Sequence, residues 1–270
     1  MHKIKAIISG SDGTLLDSLY FIRRGQYEAV AEYMVEAGIG RFDIPSYEEY
    51  ESVINQSVGG STRDTFEKTL RRMLGKGHEK QLEKIDFNNL DRRLGPIQDR
   101  LAPLYVHPFY DLNGFLHWMG KQGLYLGLFT SGSRYHIIRN WGNALPALGY
   151  MDLFQKVGVS EDEKMHALVE RVKATFGLQK FTIVTCDDTA ATKPDPEGIE
   201  KTLKMLGIKP TEAIMVGDLE ADIKAGKEAR VLTVGISHGF STVEELQKAN
   251  ADKVVHSLAE LREFVESLNQ

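Results

Sequence analysis

One stretch near the start limits what this chain can fold into more than any other. Ile4, Ala6, Ile7 and Ile8 form a short, nearly continuous apolar run. Such a run suits a parallel strand covered on both faces, since a half-exposed strand would alternate apolar and polar residues. It stops abruptly at Ser9-Gly10-Ser11-Asp12-Gly13-Thr14, a string of small and turn-forming residues. In open α/β sheets ligands bind beyond the carboxyl ends of the strands. A carboxylate at Asp12 therefore falls where a site belongs, although the same residues alone also read as a strand followed by an Asp-Gly turn.

Three later stretches bear on that choice. Leu126-Gly127-Leu128-Phe129-Thr130-Ser131-Gly132 is a second apolar strand ending in hydroxyls. Asp187-Asp188-Thr189 is followed by Lys193-Pro194-Asp195-Pro196, and Ile214-Met215-Val216 runs into Gly217-Asp218-Leu219-Glu220-Ala221-Asp222. In this order and at these spacings the four stretches resemble the haloacid dehalogenase-like (HAD) hydrolases, in particular the branch containing phosphoglycolate phosphatase and β-phosphoglucomutase. The resemblance covers nearly the whole chain, with one departure. The family's first motif reads Asp-x-Asp-Gly-Thr, and its first Asp, the nucleophile, is Gly10 here.

At 270 residues the chain can hold one large core or two domains. With 42% hydrophobic and 26% charged residues it is an ordinary globular protein. A net charge of −5 leaves no basic footprint, so nucleic acid is not an expected partner. No apolar run approaches the roughly 20 residues that span a bilayer, so no membrane partner is expected either. Met1–Lys5 leads straight into the first strand without a signal peptide, and the expected location is the cytoplasm. A single cysteine, Cys186, excludes an internal disulfide and a Cys-based zinc site.

After Ser18 the pattern becomes helical. Ala29, Val30, Tyr33, Met34 and Ile39 fall at helical spacing between Arg23 and Gly38, and further helices are expected over Tyr47–Gln56, Ser61–Leu74 and from Glu79 to Leu104. The Ser61-Thr62-Arg63-Asp64 start has the hydroxyl-then-acid order of a helix N-terminus. From Tyr110 onward strands alternate with helices, the rhythm of a parallel sheet covered on both faces. Strands are expected over Leu124–Phe129, Phe181–Thr185, Ala213–Val216 and Val231–Gly235, with a short edge at Val254–Val255. The helices between them fall over Leu112–Lys121, Arg134–Trp141, Glu161–Phe176, Glu197–Leu206, Ala221–Ala229, Val243–Ala249 and Leu258–Leu268. Together with the resemblance this gives an α/β fold. Its Rossmann-like three-layer parallel-sheet core spans 1–19 and 109–270, with an inserted all-helical cap domain over 20–108. A lid of that kind excludes water and positions substrate.

As the resemblance implies, the reaction is hydrolysis of a small phosphomonoester through an aspartyl-phosphate with Mg²⁺, which splits one hard step into two. Asp12 matches the acid/base that protonates the leaving oxygen and then activates water. Thr130, with Ser131 and Gly132 behind it, stands where a hydroxyl and backbone N–H groups receive phosphate oxygens; taken alone it also reads as a strand-end hydroxyl satisfying a turn. Lys193 supplies charge to phosphate and transition state. Asp218 matches a metal-ligand carboxylate, the backbone carbonyl of Asp12 is a second ligand, and Asp222 supports the site from one helical turn further on. For Asp222 the alternative is an acid complementing a helix dipole. Asp187 and Asp188 lie on the lip beside Lys193. The Val58-Gly59-Gly60-Ser61-Thr62-Arg63 turn has two readings: an anion-holding turn whose Arg63 meets substrate, or a Gly-rich connection with a solvated Arg.

Gly10 removes the nucleophile and one metal-ligand carboxylate together. Ser9 and Ser11 are poor substitutes because neighbouring strand residues point to opposite faces. Losing a nucleophile elsewhere costs up to about a millionfold in rate. Two functions stay open: a phosphatase scaffold impaired at position 10, or a non-catalytic binder of a small phosphorylated metabolite. Within enzymes a phosphomutase also stays open; a dehalogenase would not need the acid at Asp218.

Overall fold

The computed structural model describes residues 3–37, 45–58, 62–74, 85–148, 155 and 157–270. The chain divides into two compact units, residues 1–17 with 107–270, and residues 18–106. In the first unit the apolar run becomes β1 (Ala6–Ser9), fully buried along its length. The turn that follows leads to β2 (Leu16–Asp17).

The second unit is helical among its described residues: α1 (Leu19–Glu36), α2 (Tyr47–Ile54), α3 (Thr62–Leu74) and α4 (Phe87–Tyr105). Its core is made by Phe21, Ala29, Val30, Tyr50, Ile54, Phe66, Leu70, Leu90, Leu94 and Leu101, all buried. Gly25 lets α1 lie against α4, since a Cβ there would meet Gln98 at 3.3 Å and Leu94 at 3.5 Å. Ser46 starts α2 with a reciprocal capping box through Glu49. α1 begins four residues before the expected Arg23, because the apolar spacing tracks only the buried face and Leu19–Ile22 extend it toward Ser18. The expected Gly38 and Ile39 end of that helix, Gly59-Gly60-Ser61, and the Glu79–Lys84 part of the fourth helix lie outside the described residues.

Back in the first unit, β3 (His107–Pro108) pairs antiparallel with β2. There follow α5 (Leu112–Gln122), β4 (Tyr125–Phe129), α6 (Arg134–Ala144), α7 (Glu161–Phe176), β5 (Phe181–Val184), α8 (Glu197–Leu206), β6 (Ala213–Gly217), α9 (Glu220–Glu228), β7 (Leu232–Ile236), α10 (Val243–Lys248), β8 (Lys253–Val255) and α11 (Leu258–Leu268). Six strands form one sheet in the order β5-β4-β1-β6-β7-β8, every neighbouring pair parallel. This is the expected α/β, Rossmann-like sheet with helices around it. On one face Ala6, Ile8, Phe129, Val184, Met215 and Ala213 pack with Ile199, Leu203 and Leu206 of α8 and Ala225 of α9.

The register decides where chemistry is possible. Ser9 stands beside Leu128 of β4 and Val216 of β6, so three strands end level with one another. The Gly10 N–H still reaches the Val216 carbonyl at 2.9 Å. Everything from Gly10 to Thr14 therefore lies past the carboxyl edge, at the middle of the sheet. No helix among the described residues is long and apolar enough to cross a membrane.

Candidate active site at the carboxyl edge of the sheet

The loop after β1 folds back around one carbonyl. Ser11 O accepts from the N–H groups of Thr14 at 3.3 Å, Leu15 at 2.9 Å and Leu16 at 3.0 Å. Gly13 takes φ +76° at the bend, and any Cβ on it would run into the Asp218 carboxylate. The loop is then tied by side chains from elsewhere. Trp141 Nε1 donates to Ser11 Oγ at 3.0 Å, and Asn140 Nδ2 donates to Asp12 Oδ1 at 2.8 Å. Asn140 in turn accepts from Arg139 Nε at 3.0 Å. That bond turns the amide so that its NH₂ faces Asp12. His238 donates from Nε2 to Thr14 O at 2.9 Å and stacks on Phe109 at 3.7 Å between ring centroids. Burial holds this imidazole below its ordinary pKa, which keeps it neutral near pH 7.

The two acids after β6 are almost completely buried. Asp218 Oδ1 accepts from Thr14 Oγ1 at 2.7 Å, and its Oδ2 from the Phe240 N–H at 2.9 Å. Burial, and then the neighbouring charge of Asp222, push its carboxyl well above the usual range. Asp222 Oδ1 accepts from Lys193 Nζ at 2.6 Å and its Oδ2 from the Leu219 N–H at 3.0 Å. Lys193 is 8% exposed and lies 5.2 Å from the centre of the Phe129 ring, next to Thr130. The Lys193–Pro194 peptide is cis.

Position 10 faces this cluster. A Cβ built on Gly10 would lie 2.7 Å from Thr14 Oγ1 and 3.9 Å from Asp222 Oδ1, the oxygen that takes Lys193. The neighbouring hydroxyls are engaged elsewhere: Ser9 Oγ donates to Gly10 O at 2.8 Å, and Ser11 Oγ is held by Trp141. Alternation along the strand accounts for this, as the sequence leads one to expect.

After β4, Thr130 is buried and its Oγ1 accepts from the Gly132 N–H at 3.0 Å. Ser131 and Gly132 are half-buried at the same strand end, and Ser133 caps α6. Asp187 and Asp188 are committed to that helix. Asp187 Oδ2 accepts from the Arg134 N–H at 2.8 Å, while Asp188 pairs with the Arg134 guanidinium and accepts from the Thr185 N–H at 2.9 Å. Their carboxylates join β5 to α6. Arg63 lies in the helical unit, where its exposed guanidinium donates to Asn88 Oδ1 at 3.0 Å.

The structure thus bonds Lys193 to Asp222 and ties Asp218 to the first loop through Thr14, with position 10 approaching both Thr14 and Asp222. Asp12 lies in that same loop, held by Asn140, and Thr130–Gly132 stands on the adjacent strand end. Five contributors escape a reading of the sequence: Thr14, Asn140, Trp141, His238 and Phe240. Only Thr14 carries a local signal, as the hydroxyl closing the Asp-Gly-Thr turn.

A family model for haloacid dehalogenase-like hydrolases matches residues 4–230, and the chain belongs to that family. The pyrophosphatase PpaX of Listeria welshimeri is 35% identical over 112 residues, covering 41% of this chain and 51% of that protein. The chain thus spans about half the length of the curated relatives it matches. Among solved structures, a predicted phosphoglycolate phosphatase from Haemophilus somnus superposes with a TM-score of 0.68 at 15% identity, over 98% of this chain and 99% of that one. CbbY from Rhodobacter sphaeroides in complex with phosphate gives 0.64 at 18% identity, over 96% of each. At such identities these likenesses speak for the fold alone.

Proposed function

We propose that this chain binds the phosphoryl group of a small phosphorylated molecule at the carboxyl edge of β1, β4 and β6, and hydrolyses it only slowly. The observation that carries this reading is the direction of position 10. A side chain there would point at the cluster of Lys193, Asp222 and Thr14, and glycine places no attacking group in it.

Each remaining residue keeps a role. Lys193 and the Thr130–Gly132 turn receive phosphate oxygens, the turn through the Ser131 N–H because those of Thr130 and Gly132 already donate to Val184 O and Thr130 Oγ1. An ammonium and a backbone N–H favour an oxyanion. Asp222 holds the ammonium in place. Asp12 is the acid/base, aimed by Asn140, and it can take a proton from a water attacking directly. A bound Mg²⁺ would be held by Asp218 and the Asp12 carbonyl, where it would offset phosphate charge. These donors are hard oxygens of the kind Mg²⁺ takes, one or two carboxylates completed by phosphate and water. They form a sparse set: among the described residues no three His, Cys, Asp or Glu side chains stand together as a metal site.

The test is turnover of p-nitrophenyl phosphate and of pyrophosphate, the second chosen because a relative is named a pyrophosphatase. The unaltered chain should be slow, and Gly10→Asp should raise kcat by about a thousandfold or more. Fast turnover by the unaltered chain would sink the assignment of position 10. No turnover by either, with phosphate still bound, would leave the binding role and remove the enzymatic one.

A further inference from the structure

We infer that Gly10 makes the binding of a divalent cation and of a phosphate oxyanion at this edge mutually dependent, each admitting the other. The inference rests on the phosphate-binding reading above and concerns what the vacated position does to it.

The argument is one of charge and donor supply. Three carboxylates belong to the cluster, and two are already answered by the protein. Asp222 gives one oxygen to the Lys193 ammonium at 2.6 Å and the other to the Leu219 N–H at 3.0 Å. Asp12 has Oδ1 taken by Asn140 at 2.8 Å. Asp218 is the exception. Its partners, the Thr14 hydroxyl and the Phe240 N–H, are neutral donors, and each oxygen keeps a second acceptor direction. A cation arriving alone at Asp218 therefore meets one carboxylate that no cation among the described residues pairs with. Mg²⁺ gives up its water reluctantly and relies on substrate phosphate where protein ligands are few.

A phosphate arriving alone fares no better. It meets the Asp222 carboxylate and the acceptor oxygens of Asp12 and Asp218, and the Lys193 ammonium beside them is already paired with Asp222. Like charges at close range in a buried site repel strongly. Each ligand removes the obstacle to the other: phosphate oxygens replace the missing carboxylate, and the cation offsets the acids. An aspartate at position 10 would supply that carboxylate permanently, and the cation would then bind by itself. Truncating one side chain has turned a standing metal site into a conditional one.

Linkage requires the effect to be reciprocal. Calorimetric titration of the full chain with inorganic phosphate and with MgCl₂, each alone and with the other saturating, should show both affinities rising by one common factor of about ten or more. Heats of magnesium phosphate formation are subtracted from a blank. In Gly10→Asp, Mg²⁺ alone should bind about tenfold or more tighter than in the unaltered chain. That variant must displace Thr14 Oγ1, so circular dichroism should accompany it. Asp218→Asn is the second arm, in which phosphate affinity should no longer respond to Mg²⁺. If either ligand binds the unaltered chain as tightly alone as with its partner, the inference is overturned while the phosphate site stands. If neither binds in any combination, both fall.

Discussion

Two loops leave neighbouring strands of one sheet and are built to opposite plans. The loop after β4 is held by itself and by the neighbouring strand end: Thr130 accepts from Gly132, Ser133 caps α6, and Asp187 and Asp188, 53 and 54 residues further on, fasten Arg134. The loop after β1 is held from far away. Its partners Asn140, Trp141, Asp218 and His238 lie 128, 130, 204 and 224 residues along the chain from the groups they meet. The difference follows from what each loop presents. Backbone N–H groups at a helix start already face an anion, whereas a carboxylate must be aimed by other side chains. On the proposed reading, Gly10 leaves position 10 without a carboxylate while the contacts that aim the first loop stay in place, so it would touch chemistry far more than architecture.

The harshest way to break this contrast is to cut what joins the two loops. Lys193 pairs with Asp222 on the β6 side and rests over Phe129 on the β4 side, with both charged groups buried. Lys193→Met should therefore leave a buried carboxylate unpaired and lower stability by about 3–5 kcal/mol, read from urea unfolding. A loss below about 1 kcal/mol would mean that the pair is solvated and the loops are not joined there.

A gentler pair of variants compares the loops directly. Trp141→Phe removes the donor to the buried Ser11 hydroxyl and should cost about 1–3 kcal/mol, the penalty for stranding a buried polar group together with lost packing. Thr130→Val removes a hydroxyl whose partner, the Gly132 N–H, stands in a half-buried loop that water can reach. About 0.5–1.5 kcal/mol is expected there. Equal losses in the two variants would erase the distinction between a loop held at a distance and one held locally.

The same distinction explains how much could be read in the residues beforehand. The sheet was legible because buried parallel strands are apolar runs: Phe181–Val184 and Ala213–Gly217 fall within one residue of expectation. Glu161–Phe176, Glu197–Leu206 and Leu258–Leu268 match outright, the first two stopped by glycines at positive φ. The β2–β3 ladder was invisible, since two residues a side carry no periodicity. In the site, Asp12, Lys193 and Asp218 are readable as acids and a lysine in a known order. Asn140 and Trp141 are not, because on the sequence they are two more residues of an amphipathic helix, and only the fold turns them toward the first loop. Asp187 and Asp188 show the converse. Their residue type suits a site, yet their carboxylates serve Arg134 and Thr185.

The smallest effect expected is a slope, and it has opposite signs on the two sides. On the β4 side, burial and then the Arg139 charge push the His136 imidazole down to about 3, in keeping with Nδ1 accepting from the Ser133 N–H. The unfolded chain takes up a proton near pH 6.5 that the folded chain refuses, so this group's contribution is complete above pH 6.5 and is lost as pH falls toward 3. On the β1 side Asp218 is shifted upward, by burial and by Asp222. The folded chain keeps a proton that the unfolded chain has released, so that contribution is complete below about pH 4 and is lost as pH rises through the raised value. Between pH 4 and 6.5, in EDTA, His136→Gln should make the midpoint of thermal unfolding rise less steeply with pH than in the parent. Asp218→Asn should make it rise more steeply, each by no more than about 1.4 kcal/mol per pH unit, the limit for one proton. Variants that bend the profile in the same direction would contradict the opposite electrostatics assigned to the two loops.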